Sequence, residues 1–151
     1  MTGSRIGLDP RARNLVSIGA GVFGGTILLV VLQAVNGLVF PPPAGTDPND
    51  PESMRRAMAA MTVPAYLGLV AAYFLATTAA CTVAARVAGT EPRRRARLVG
   101  LAFVVAAIMT FREIPHPAWV IAAILVSLVV AAVLGPRLAG RDAAPPATNV
   151  S

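Results

Sequence analysis

Four runs without a formal charge, residues 14–46, 57–85, 98–111 and 114–136, limit what this chain can fold into more than any other feature. A helix rises 1.5 Å per residue and needs about 20 apolar residues, with about 17 as a lower bound, to cross a hydrocarbon core. Three runs are long enough. The third, residues 98–111, would rise only about 21 Å, so Arg97 must snorkel inward or the helix must continue through Arg112 and Glu113 to Ile114. A soluble four-helix bundle would need a polar face on each helix, and residues 122–133 offer only Ser127. The sequence therefore predicts an all-α protein, a four-transmembrane-helix bundle with spans near 14–40, 63–88, 97–114 and 118–135. These form one membrane domain, 14–140, between a cytoplasmic tail, 1–13, and a disordered cytoplasmic tail, 141–151.

Arginine sets the expected orientation. Arg5, Arg11, Arg13, Arg86, Arg93, Arg94, Arg95, Arg97, Arg137 and Arg141 fall on one side of these spans, against Arg55, Arg56 and Arg112 on the other. The positive-inside rule then puts both termini in the cytoplasm. A pI near 11.3 raises the question of nucleic acid. The arginines stand at helix ends rather than on a folded basic face, so the expected partners are anionic lipid headgroups at Arg86, Arg93, Arg94, Arg95 and Arg97. The absence of lysine, with heavy alanine and arginine use, points to a bacterial inner membrane protein. The apolar run after Arg13 exceeds the 7 to 15 residues of a signal-peptide core, so it is expected to stay as the first membrane helix.

Local signals place the helix ends. Asp9-Pro10, Asp50-Pro51 and Thr90-Glu91-Pro92 read as caps followed by proline at the first helical position. Gly89 and Gly135-Pro136 read as stops. Between the first two spans, PPPAGTDPND is turn chemistry, and a short amphipathic outer helix should follow it. Met54, Met58 and Met61 share one face of that helix, with Arg55 and Arg56 directed away. Soft thioethers suit Cu(I), but periodic methionines are also what packing on lipid or on the bundle requires. A weak repeat matches ARVAG (85–89) to PRLAG (136–140), and Val39-Phe40-Pro41 to Glu113-Ile114-Pro115, as if two helical hairpins followed one plan.

Small residues recur at spacing four: Ser17, Gly21 and Gly25; Gly68, Ala72, Ala76, Ala80, Ala84 and Ala88; Ala123, Ser127, Ala131 and Gly135. Membrane helices associate by close packing, so these rows predict either a tight bundle or a homo-oligomer contact. Cys81, the single cysteine, excludes an internal disulfide and reads as a small buried residue.

Most catalytic templates are absent. Without lysine there is no phosphate-loop lysine or Schiff base, and one His with one Cys makes no ordinary zinc site. The acidic loop with Asp47, Asn49, Asp50 and Glu52 lacks a coordinating spacing, which favours turn and cap roles over a cation site. No metal, cofactor or catalytic residue is expected, and the chain reads as a non-enzyme. What remains is a polar cluster on the outer side: Gln33, Asn36, Tyr66, Arg112, Glu113, His116 and Trp119. Aromatic-belt, headgroup and interhelical roles account for these residues. A small outward-facing pocket in which Glu113 and His116 bind a ligand or pass protons is the functional alternative.

The loop PPPAGTDPNDPE and the turn IPHPAW resemble a family of small uncharacterised bacterial integral membrane proteins with four predicted helices. The resemblance implies the same four-helix plan and no activity. The expected role is a structural or interaction component of the membrane, and the other reading is a small transporter or ligand-binding protein that uses the outer cluster.

Overall fold

The structure, a computed structural model, describes residues 9–140, so the expectations for Arg5, Arg141 and both chain ends lie outside it. Five helices follow in order: α1 (Pro10–Val39), α2 (Pro51–Ala60), α3 (Val63–Val87), α4 (Pro92–Glu113) and α5 (Ala118–Leu138). No strand occurs among the described residues. The short amphipathic helix is present as α2, with Arg55 and Arg56 exposed and Met54, Met58 and Met61 half-buried.

Three helices, α1, α3 and α5, are long and apolar enough to cross a membrane. The fourth expected span does not meet that measure. At 22 residues α4 is about 33 Å long, but Arg93, Arg94, Arg95 and Arg97 fill its first two turns and Arg112-Glu113 its last. Its charge-free centre remains the short run seen in the sequence.

α3 packs on α1, α4 and α5, and α4 completes a rhomb by touching α1 and α5, while α1 and α5 make no close approach. One end gathers the arginines. There the Arg13 Nε donates to the Val87 carbonyl at 2.9 Å, and Arg86 Nη2 to that of Leu138 at 3.3 Å. Asn14, buried beside them, accepts the Gly89 and Thr90 amides on its Oδ1, each at 3.1 Å, and donates its Nδ2 to Thr90 Oγ1 at 2.9 Å. This side chain, rather than a left-handed glycine, turns the chain between α3 and α4. Glu91 closes the turn at φ 51°, a left-handed conformation uncommon for a residue with a Cβ, and its carboxylate meets Arg94 at 3.0 Å and Arg95 at 3.7 Å.

Proline opens α1 through α4, either as the first residue or, in α3, as the second. Only Asp50 caps with its side chain, accepting the amides of Glu52 and Ser53; Asp9 and Glu91 make no such bond. α5 runs beyond the expected stop at Gly135-Pro136 and ends at Leu138, with Gly140 left-handed at φ 66°. The last helical residues, Val87 of α3 and Leu138 of α5, occupy the same place in the two similar words, but the chain leaves them differently: Ala88 is extended at ψ 137°, whereas Ala139 stays helical at ψ −12° before the left-handed Gly140.

The rows of small residues are spent inside the chain. A Cβ on Gly21 would lie 2.8 Å from the Ala80 carbonyl, and one on Gly25 2.5 Å from the Ala80 Cβ, so α1 reaches the backbone of α3 only because both are glycine. Gly135 does the same from α5, where a Cβ would meet Cys81 Cβ at 2.5 Å. Ala72, Ala76, Ala80, Ala84 and Ala88 are buried in these contacts. The α5 row is only half used. Its buried face carries Val120, Ile124 and Leu128 before Ala131 and Gly135, while Ala123 and Ser127 flank it half-exposed.

Ala80→Leu should lower stability by about 1–3 kcal/mol through overpacking, whereas Val126→Leu on the exposed face should stay within about 0.5 kcal/mol of wild type. Thermal unfolding in detergent checks this, and equal midpoints for the two variants would contradict the α1–α3 contact described above.

Candidate functional site

At the end opposite the arginines, α1 stops at Val39 and the chain leaves it to cross the bundle before returning in α3. The gap that this detour encloses is a cavity of about 440 Å³. Gln33, Asn36 and Gly37 of α1 form one wall, and Leu69 and Tyr73 of α3 another. Thr110 of α4, with Ile114 and His116 of the following turn, closes the third side. Met54, Ala57, Met58 and Met61 cover it with the apolar face of α2, and Phe40, Pro42, Thr46 and Pro48 complete the rim.

α2 is tied down by polar contacts at its ends. Besides the Asp50 cap, Ser53 Oγ accepts the Asp47 amide at 2.9 Å, and the Tyr66 hydroxyl donates to the Met58 carbonyl at 2.6 Å. Asp47 Oδ1 accepts the Asn49 amide at 2.8 Å. Asp47 and Asp50 thus act in turn and cap, and no group of three His, Cys, Asp or Glu side chains fit to hold a metal occurs among the described residues.

The sequence-selected cluster divides. Gln33, Asn36 and His116 line the cavity. Tyr66 stands beside it, its ring edge-on to His116 at 6.5 Å between centroids and to Trp119 at 5.8 Å. His116 also packs edge-on to Phe111 at 5.3 Å, and its Nδ1 lies 2.8 Å from the Ile114 carbonyl. Arg112 and Glu113 are exposed and line no part of the cavity. The pairing of Glu113 with His116 in one pocket, weighed above, is therefore not the arrangement found: the turn that begins at Ile114 sends the imidazole, three residues past the helix end, inward and leaves Glu113 outside.

Asn36 is built in more deeply than its spacing indicated. Its Nδ2 donates to the Ala65 carbonyl at 3.1 Å, and its Oδ1 occupies the space that a side chain on residue 68 would need. Gly68 is thus less a step in a packing ridge than the vacancy that admits this amide.

Two lining residues escaped the sequence reading. Tyr73 is buried with its hydroxyl facing Gln33 and Thr110, and Thr110 Oγ1 donates to the Ala106 carbonyl at 3.0 Å, which leaves its lone pairs available. Tyr73 and Thr110 stand on different helices, far in sequence from each other and from Gln33 and Asn36. Only the superposition of three helices at one depth groups them.

The resulting site is an apolar chamber with amide and hydroxyl groups on its walls and no guanidinium or carboxylate among them. Such a site can hold a neutral group by hydrogen bonds, with the imidazole of His116 as a titratable group on its wall. No family model, no curated protein and no solved structure matches the chain.

Tyr66→Phe should free the end of α2 and leave the bundle intact. Amide exchange over 51–61 is expected to quicken about fivefold, the equivalent of one net hydrogen bond, with exchange in α3 and α5 unchanged. Unaltered exchange over 51–61 would show that this hydroxyl does not hold α2.

Proposed function

We propose that this is a multi-pass protein of a bacterial inner membrane that binds a small amphiphilic molecule in the cavity beneath α2, without catalysing a reaction. The observation that carries this reading is the cavity itself, about 440 Å³ with an apolar lining and a few converging hydrogen-bonding groups, a combination typical of small-molecule sites. Proton coupling through Glu113 has no part in it, since that carboxylate stands outside. In this reading all four long helices cross the membrane, the short core of α4 packing one face, Val99, Gly100, Phe103 and Ala107, against its neighbours. The arginine end faces the cytoplasm and the cavity faces outward, in keeping with the arginine distribution. At the cytoplasmic face Arg93, Arg97 and Arg137 surround a notch of about 120 Å³ suited to anionic headgroups. The proposed grouping with small bacterial membrane proteins rests on the loop words PPPAGTDPNDPE and IPHPAW.

A role as a packing or interaction component is the second reading. It is favoured by the outer half of α1, where Val30, Val31, Val35, Leu38 and Val39 are exposed in succession. Lipid or a partner helix would cover them equally well.

Gly37 offers a clean test, because a Cβ there would meet nothing within 4 Å although the residue lines the cavity. Gly37→Phe should fill the chamber and, by replacing a helical glycine, leave stability unchanged or slightly raised. Native mass spectrometry of protein released from its own membranes should show a small amphiphile on wild type and at least tenfold less on Gly37→Phe. Equal retention would dismiss the cavity as a binding site.

Orientation is checked with single cysteines in a Cys81→Ser background. Asn49→Cys should react with an impermeant maleimide on intact cells, and Arg93→Cys only after lysis. The reverse pattern would invert the topology.

A further inference from the structure

Tyr73 has space on both sides. A second space of about 150 Å³ lies between α1 and α4, lined by Val22, Thr26 and Leu29 on one side and Ala102, Phe103 and Ala106 on the other. Tyr73 and Thr110 border both spaces. The two lie end to end alongside α1 from Phe40 to Val22, about 27 Å at the helical rise, with the Tyr73 and Thr110 side chains between them; taken together as one slot, they end near the middle of that helix. Thr26, Ala102 and Ala106 are exposed, so the lower part opens sideways between α1 and α4 onto the hydrocarbon-facing surface.

The chemistry of the slot changes along its length. The lower part is apolar except for Thr26. At the junction stand the Tyr73 hydroxyl, the Gln33 amide and the Thr110 hydroxyl, all uncharged. Above them the chamber widens under the methionines of α2. Neither space has an Arg, Asp or Glu in its lining, and His116 on the chamber wall is the one lining side chain that can become cationic, so a phosphate or carboxylate taken from water into such surroundings would meet no permanent compensating charge. An apolar tail gains little on leaving lipid for the slot, because the two are equally apolar. Discrimination therefore falls to the head.

Resting on the binding role proposed above, we infer that the ligand is an uncharged amphiphile that enters from the lipid between α1 and α4. Its tail lies in the lower slot, its ketone or ester oxygens accept from the Tyr73 hydroxyl and the Gln33 amide, and a head hydroxyl donates to Thr110 Oγ1, whose own proton is on the Ala106 carbonyl. The chamber above accommodates the rest of the head, with flexible methionine side chains adjusting to its shape.

The test uses the full chain in nanodiscs of dioleoylphosphatidylcholine, with three probes: dioleoylglycerol and a decyl-substituted benzoquinone as neutral heads, and dioleoylphosphatidylglycerol as a charged one. Binding is read by native mass spectrometry. Wild type should retain one neutral probe per chain and exclude the charged lipid by at least tenfold. Tyr73→Phe should weaken both neutral probes, and Thr110→Val dioleoylglycerol alone, about two- to tenfold, as loss of one hydrogen bond does; both changes are conservative in shape. Ala106→Trp, at an exposed position, should close the lateral opening and abolish binding while the thermal midpoint holds. Equal retention of the charged and neutral probes, both lost in Gly37→Phe, would overturn the uncharged class and leave the cavity standing. Unchanged binding in Ala106→Trp would overturn lateral entry. Retention that Gly37→Phe does not reduce would overturn the binding role itself.

Discussion

The backbone of α3 comes within side-chain-free distance of α1 at Gly21 and Gly25 and of α5 at Gly135, and the rest of the molecule depends on those approaches. In a hydrocarbon solvent, leucine on leucine gains nothing over leucine on lipid, so dense packing and direct polar contacts must join the helices. Glycine and alanine let the carbonyls of α3 be reached from outside: Thr82 Oγ1 lies 3.1 Å from the Gly135 carbonyl, and a side chain on Gly135 would crowd the Thr78 carbonyl at 3.0 Å. Cys81 belongs to the same contact, its thiol 3.3 Å from the Ala96 carbonyl and close to Gly100. The lone cysteine is thus a small packing residue where three helices converge.

The two ends of the bundle use this closeness differently. At the arginine end, Asn14 reaches across from α1 and satisfies the amides of the α3–α4 turn, so a connection of only four residues, 88–91, holds a left-handed Glu91. At the other end the tight row runs out. Above Ala72 the facing residues become Gly68 with Asn36 lodged against it, then Tyr73, Leu69 and the methionines, and the helices enclose space instead of filling it.

Much of this was legible in the sequence because single-residue physics governs it. Charge-free runs set the long helices, proline fixed where they begin, and small residues at spacing four marked the faces that meet. The failures share one cause, which is that local signals cannot report tertiary compensation. Gly135-Pro136 reads as a stop, yet the contact of Gly135 with α3 carries α5 onward to Leu138. Ala123 and Ser127 fit a small-residue row, but Val120, Ile124 and Leu128 take the buried face. The outer cluster was found in part for the same reason. Gln33 and Asn36 are visible as neighbours on one helix, whereas Tyr73 and Thr110 become their companions only when three helices align, and Glu113 leaves the group because the chain turns beneath it.

The distribution of side-chain types also divides the molecule by entropy. Glycine and alanine have no rotamers to lose when helices lock, so the middle of the α1–α3 contact, Gly21 and Gly25 on Ala80, forms without side-chain ordering cost. Around the cavity the lining is methionine, leucine, glutamine and tyrosine, each with torsions that packing has not used up. Conformational freedom in this protein is therefore concentrated in side chains under α2. An occupant of the chamber would be accommodated by rotamer changes there, over a frame joined at its middle by residues that have no rotamers to change.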